Sequence, residues 1–105
     1  MSKIANTPDP PYYAVIFTAI YSANHEGYPE MAAQMRTLVD KQPGFLGYES
    51  ATEDLNITIS YWQDLNAIAN WKEQIDHQKA QQQGRALWYS AFKTRIAKVE
   101  RDITF

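Results

Sequence analysis

The tryptophans of this chain are concentrated in one stretch, residues 60–89. The stretch holds all three tryptophans, Trp62, Trp71 and Trp88, and one of the two histidines, His77. Large aromatic rings stack on flat ligands, and they also build ordinary hydrophobic cores. The stretch therefore indicates either a pocket for a flat ligand or an unusually aromatic core.

His77 is the candidate general base of such a pocket. A neutral imidazole titrates near pH ~6.5 and can take the proton of a phenol or hydroquinone. The resulting anion is electron-rich enough to react directly with dioxygen, without a metal or a flavin. The competing interpretation is a surface histidine that pairs with Glu73, one helical turn earlier. The other histidine, His25, stands beside a glycine and is interpreted as a loop residue.

The other candidate residues are aromatic or cationic. They are Trp71 and Trp62 as walls, Trp88 and Tyr61 as further substrate contacts, and Arg85 as the holder of an anionic oxygen. Core packing explains the tryptophans equally well, cross-strand packing explains Tyr61, and a surface ion pair explains Arg85. Paired carboxylates, a Ser-His-Asp order, a glycine-rich phosphate loop and metal-spaced ligands do not occur, which sets aside hydrolase and kinase chemistry and predicts no metal.

Composition narrows the class of protein further. At 105 residues with a net charge of −2, the chain is one domain without the basic field that nucleic acid binding requires. It has no cysteine, which excludes disulfides and thiolate chemistry. No apolar run approaches the roughly 18 residues of a membrane helix, and the N-terminus lacks the apolar segment of a signal peptide. We therefore expect a soluble cytoplasmic protein with no nucleic acid or membrane partner.

The first half of the chain predicts an arm, a strand, a helix and a hairpin. Residues 1–11 contain three prolines and are expected to form an extended arm before a domain at 12–105. Residues 12–22 are apolar on both alternating sets, which is typical of a strand buried on both faces. Apolar residues at three- and four-residue spacing between Tyr28 and Val39 predict a helix that Gln42-Pro43-Gly44 ends. Residues 45–52 and 56–62 then predict two hairpin strands.

The second half predicts a helix and a final strand. Asp64 is the expected N-cap of a helix whose apolar stripe includes Ile68, Trp71 and Ile75. The stripe fades after Asp76, so we expect a break there, a short helical piece over 86–90, and a strand over 92–101. On an unbroken helix, six residues turn through about 600°, which would leave His77 about 120° from Trp71. Only a break would bring both to one ligand.

The resulting order, βαββαβ, is that of a ferredoxin-like α+β fold. Two helices cover one face of a four-stranded antiparallel sheet. The other face carries apolar residues, and leaving it in water would expose a large apolar patch. A homodimer in which two such sheets pack together is therefore expected.

Several sequence blocks resemble the antibiotic biosynthesis monooxygenase superfamily of dimeric α+β barrels. The blocks are QPGFLGYESA at 42–51, ITISYW at 57–62, W-K-x4-H at 71–77, AQxxGRxxWY at 80–89 and VER at 99–101. The resemblance implies a pocket between the helices and the sheet. It also implies one of several activities, because the superfamily includes cofactor-independent oxygenases of aromatic polyketides and quinols, haem-degrading proteins and a sugar isomerase.

The match to the haem-degrading members is incomplete. Those proteins use an asparagine on the first strand, a tryptophan on the second helix and an iron-binding histidine further along it. Trp71 matches the tryptophan, but residues 12–22 contain no asparagine, and His77 follows Trp71 more closely than in those enzymes. The sequence therefore favours cofactor-independent monooxygenation of a small aromatic, phenolic or quinol-like compound by dioxygen. The alternatives are a haem-binding or haem-degrading protein, and a non-catalytic small-molecule-binding or dimerisation module.

Overall fold

The computed structural model describes residues 3–23, 27–81 and 88–105, with the side chains of α2 described through residue 76. The elements are β1 (Tyr12–Tyr21), α1 (Tyr28–Val39), β2 (Phe45–Thr52), β3 (Asn56–Trp62), α2 (Leu65–Gln81) and β4 (Tyr89–Val99). Their order is βαββαβ, and the strands form one antiparallel sheet with the order β2-β3-β1-β4. The predicted ferredoxin-like fold is confirmed.

The strand register assigns each side chain to one of two faces of the sheet. Tyr13 pairs with Trp62 and Ala14 pairs with Tyr61, so neighbouring residues point to opposite faces. Trp62 packs with α2 residues, which identifies its face as the helix face. The helix face carries Tyr13, Val15, Phe17, Ala19, Thr58, Ser60 and Trp62. The opposite face, here called the open face, carries Tyr12, Ala14, Ile16, Thr18, Ile20, Ile57, Ile59 and Tyr61.

The start of each helix follows from its sequence. Gly27 adopts a left-handed φ of 85° and Pro29 stands in the first turn of α1. The Asp64 carboxylate accepts a hydrogen bond of 2.8 Å from the Ala67 backbone N–H, which confirms the predicted N-cap of α2. None of the helices in the described part of the chain is long and apolar enough to span a membrane.

The predicted break after Asp76 is wrong, because α2 continues without interruption to Gln81. The apolar stripe fades there, but the residues from 77 to 81 are Gln, Lys, Ala and His, without glycine or proline. Gln, Lys and Ala favour helix through their own backbone preferences. An ion pair of 2.9 Å between Lys72 and Asp76 adds support one turn earlier. The weaker apolar stripe therefore did not mark the end of the helix.

The final strand begins and ends earlier than predicted. It spans Tyr89–Val99, so Tyr89 and Ser90 belong to β4 and not to a helical piece, while residues 86–87 lie outside the described residues. Pairing with β1 sets this start, because Tyr89 lies opposite Tyr21 across a register shift. Such long-range pairing is invisible to a local pattern.

The buried core lies between the helices and the sheet. Trp62, Ala67 and Ile68 form its centre, with Tyr13, Val15, Val39, Phe45 and Trp71 packed around them. The expectation that β1 is buried on both faces is wrong for the single chain, since most of its side chains are only half-buried and Ile20 is 47% exposed. Half-burial occurs on both faces of β1: Tyr13, Val15 and Phe17 on the helix face are half-buried, whereas Tyr12 and Ala14 on the open face are buried.

The N-terminal arm binds the open face near one end of the sheet. The Ala5 N–H donates to Glu49 Oε2 at 2.9 Å, and the Tyr61 hydroxyl donates to Glu49 Oε1 at 2.6 Å. The Thr7 hydroxyl donates to the Tyr12 hydroxyl at 3.1 Å, which donates in turn to Asp102 Oδ2 at 2.6 Å. The arm is thus tied to β2, β3 and the C-terminal residues.

Candidate functional site

Two of the predicted aromatic walls form one stack inside the helix–sheet layer. The rings of Trp62 and Trp71 are 6.1 Å apart with 27° between their planes, and Phe45 meets Trp62 edge-on at 5.3 Å. Trp62 has no exposed surface, and its indole N–H donates to Ser60 Oγ at 2.8 Å. Trp71 is half-buried. Trp62 therefore supports Trp71 from beneath, and Trp71 is the member that a ligand can reach. We call this region the Trp62 end of the layer.

Trp88 lies at the opposite end of the sheet. It precedes Tyr89, which pairs with Tyr21, whereas Trp62 pairs with Tyr13. Eight residues of β1 separate the two pairs, or about 26 Å at ~3.3 Å per residue. Tryptophans that are neighbours in sequence therefore belong to two separate regions.

Tyr61 lies on the open face and does not share the helix–sheet layer with Trp62 and Trp71. Its ring meets Tyr12 edge-on at 5.8 Å. Burial, followed by the hydrogen bond to Glu49, raises the pKa of Tyr61. Its phenol therefore stays protonated at neutral pH and ties the sheet to the N-terminal arm through Glu49.

The structure does not describe the side chain of the predicted base, His77, or that of the predicted anion holder, Arg85. Arg85 lies outside the described residues, and so does the side chain of His77. The backbone at position 77 belongs to the uninterrupted α2. Position 77 is thus about 120° around the axis from position 71. His25 also falls outside the described residues.

The end of the layer opposite Trp62 is lined with aromatic rings, and we call it the Tyr21 end. Tyr89 stacks on Tyr21 at 5.9 Å, with 19° between the planes, and meets Tyr28 edge-on at 5.9 Å. Phe17 meets Tyr89 edge-on at 5.4 Å, and Trp88 meets Tyr28 edge-on at 6.1 Å. Rings from β1, α1 and β4 thus converge on one place.

Polar groups join these rings. The Tyr21 hydroxyl donates to the Tyr28 hydroxyl at 3.2 Å and also hydrogen-bonds Thr52. The Thr52 hydroxyl donates to the buried Asn56 Oδ1 at 2.8 Å. Burial, with the hydrogen bond to Tyr28 next in size, raises the pKa of Tyr21 to about 12. The hydroxyl therefore keeps its proton at neutral pH and remains a hydrogen-bond donor.

Of the residues at the Tyr21 end, the sequence predicted only Trp88 as a substrate contact. The missed members, Tyr21, Tyr28 and Tyr89, are far apart in the chain and meet only through the pairing of β1 with β4. One signal was present, since Tyr21 continues the alternating set of Tyr13, Val15 and Phe17 that points to the helix face.

Comparison with solved structures supports the fold. The chain superposes on a single-substitution variant of SnoaB, a cofactor-independent oxygenase from Streptomyces nogalater, with a TM-score of 0.71 at 14% identity, covering 88% of this chain and 96% of that chain. A protein of unknown function from Nitrosomonas europaea gives a TM-score of 0.66 at 15% identity, covering 93% and 96%. At these identities the likeness is one of fold.

Sequence comparison identifies the family. The chain is 46% identical to the uncharacterised protein YqjZ of Bacillus subtilis, over all of this chain and 94% of that protein. The family model described as antibiotic biosynthesis monooxygenase matches residues 11–83, from the end of the arm to the end of α2. Because this model matches well over half of the chain, the chain belongs to the antibiotic biosynthesis monooxygenase family.

Proposed function

We propose that the protein is a cofactor-independent monooxygenase that acts on a small aromatic, phenolic or quinol-like compound. Family membership supports the reaction type. The observation that carries the substrate class is the helix–sheet layer, where two groups of aromatic rings lie on either side of half-buried strand residues. Such apolar walls with a few polar groups suit a flat, oxygen-bearing ligand.

The proposed chemistry starts with removal of the phenolic proton by His77. The phenolate transfers an electron to dioxygen, the two radicals combine to form a carbon-bound peroxide anion, and that anion takes the proton back from His77 to become a hydroperoxide. Loss of water from the hydroperoxide leaves a quinone, so one oxygen atom enters the product and the other leaves as water. The substrate supplies all the electrons. Arg85 is proposed to hold the anionic oxygen. Trp71, supported by Trp62, is proposed as an alternative wall, and a ligand stacked there would need a base other than His77, because position 77 lies about 120° from position 71 on the unbroken α2.

We further propose that two copies pair through their open faces. Ile20 and Ile57 on this face are 47% and 39% exposed in the single chain. Packing two such faces would bury these side chains in the manner of a sheet sandwich. Tyr61 and the arm would then lie beside the interface and not in the substrate pocket.

Oxygen incorporation tests the reaction. Purified protein would be incubated with 1-naphthol or methylhydroquinone under ¹⁸O₂, with oxygen uptake followed by electrode and the product by mass spectrometry. We expect uptake that depends on the protein and one ¹⁸O atom in the product. His77→Ala should lower kcat by roughly 10²- to 10⁴-fold if it removes the base. Gln74→Ala, an exposed change three residues earlier on α2, is the matched control and should be neutral.

Two outcomes would contradict the proposal. One is a product that carries no oxygen atom from ¹⁸O₂. The other is turnover that is unchanged in both His77→Ala and Trp71→Phe.

A further inference from the structure

We propose that the aromatic ligand binds at the Tyr21 end of the helix–sheet layer, with its oxygen held by the Tyr21 and Tyr28 hydroxyls. This inference rests on the proposed function, because it assigns the place and the polar contacts of the same substrate. It moves the site away from the Trp62–Trp71 stack, to which the sequence pointed.

Polar groups converge at the Tyr21 end of the layer. Hydroxyls and an amide from four elements are joined at the Tyr21 end: Tyr28 from α1, Tyr21 from β1, Thr52 from β2 and Asn56 from β3. A core built only for packing gains little from four polar groups between its layers, because each must be satisfied when it loses water. Ligand sites, by contrast, combine a few convergent polar groups with apolar walls.

The rings at the Tyr21 end are partly exposed to solvent. Tyr21, Tyr28 and Tyr89 are half-buried, and Phe92, which lies 5.7 Å from Phe17 at the edge of the group, is 61% exposed. A flat ring can therefore reach the tyrosines along the β4 edge with little rearrangement. At the Trp62 end a ring could reach Trp71, which is half-buried, but not Trp62, which has no exposed surface.

The Tyr21 and Tyr28 hydroxyls are suited to an anionic oxygen. Tyr21 keeps its proton at neutral pH, because burial raises its pKa to about 12. In this structure the Tyr21 proton is donated to the Tyr28 hydroxyl, and the oxygen of a bound phenolate, which concentrates negative charge, would replace that hydroxyl as the acceptor. Donors placed at developing charge are a common source of rate enhancement. The pair of hydroxyls 3.2 Å apart thus suits the anion from which the proposed reaction proceeds.

The three indole N–H groups allow the position of a ligand to be read directly. In ¹H–¹⁵N spectra of the labelled protein, Trp71→Phe and Trp88→Phe would each remove one indole signal and so assign all three. We expect 1-naphthol, added as the probe, to shift the Trp88 signal, since that ring lies 6.1 Å from Tyr28. The signals of Trp62 and Trp71 should stay in place.

The affinity of the protein for 1-naphthol provides a second test of the site. Tyr21→Phe and Tyr28→Phe each remove one hydroxyl and keep the ring, and each should weaken 1-naphthol binding by about two- to tenfold. Tyr48→Phe is the matched control, since Tyr48 lies under the Arg36 guanidinium on the outer strand β2. It should leave the dissociation constant unchanged.

The outcomes separate this inference from the proposed function. A shift of the Trp71 signal with Trp88 unmoved, or an unchanged affinity in both tyrosine variants, overturns the site and leaves the reaction standing. A Trp88 shift with weakened binding in those variants, but no ¹⁸O in any product, supports the site and overturns the reaction. A spectrum that does not change up to the solubility of 1-naphthol overturns both.

Discussion

Replacing Gly44 by alanine should destabilise the protein by about 2–5 kcal/mol, and the structure divides this cost into two parts. Gly44 has a φ of 83°, where an L-residue costs roughly 1–2 kcal/mol. A Cβ at this position would also lie 2.6 Å from the Cβ of Ala67, in the first turn of α2. Relieving that overlap requires movement of buried backbone, at about 1–3 kcal/mol. The hydrogen bond of 2.8 Å from the Gln63 N–H to the Gly44 carbonyl holds the two segments together.

Gly27→Ala separates the two parts of this cost, because it carries only the cost of the left-handed backbone. Gly27 has nearly the same φ, 85°, but its added Cβ would meet only Trp88, at an ordinary contact distance of 3.8 Å. Urea unfolding of both variants at one fixed protein concentration would measure the free energy of unfolding; the fixed concentration matters if the chain dimerises. Gly44→Ala should lose about 1–3 kcal/mol more than Gly27→Ala. Equal losses would refute the steric argument, and so would a failure of Ala67→Gly to rescue Gly44→Ala.

Two further predictions concern the tyrosines and the arm. Because the folded-state pKa of Tyr21 is about 12 against 10.0 for an ordinary tyrosine, its contribution to stability is complete below pH 10 and is lost as pH rises from 10 to 12. Urea unfolding at pH 9 and pH 11 should therefore show a smaller alkaline loss in Tyr21→Phe than in wild type, and an identical loss would contradict this. Glu49→Gln should lower the free energy of unfolding by about 1 kcal/mol and speed proteolysis of the arm, because it weakens the bonds to Ala5 and Tyr61. The exposed Glu53→Gln is the control.

The fold was predictable where local pattern and burial agree. The strands at 45–52 and 56–62 have the predicted bounds, and the first helix spans the apolar positions from Tyr28 to Val39 that predicted it, since alternation or a three- and four-residue period follows directly from one buried side. The end of α2 and the start of β4 were not predictable, because one depends on backbone preference in a polar stretch and the other on pairing with β1.

The sequence predicted the type of candidate site but not its position in the fold. An excess of aromatic rings in the sequence indicated a flat ligand, and the helix–sheet layer contains such rings at both ends. Proximity in sequence then suggested that Trp62, Trp71 and Trp88 act together. Register places Trp88 about 26 Å from Trp62 along the sheet and brings it to Tyr28 instead.

The continuous α2 also makes the two proposed positions for the ligand exclusive. A ring stacked on Trp71 would meet the stripe formed with Ile68, and position 77 is about 120° from Trp71 and about 180° from Ile68 around the axis, so His77 could not serve as its base. Along the axis, position 77 lies about 9 Å beyond Trp71 at ~1.5 Å per residue. The helix starts beside Trp62, and β4 starts beside Tyr21, so that direction leads toward the tyrosines. Of the two proposed positions, the Tyr21 end is therefore the nearer one along the axis, and the proposal that His77 acts there predicts that loss of turnover in His77→Ala accompanies weakened binding in Tyr21→Phe.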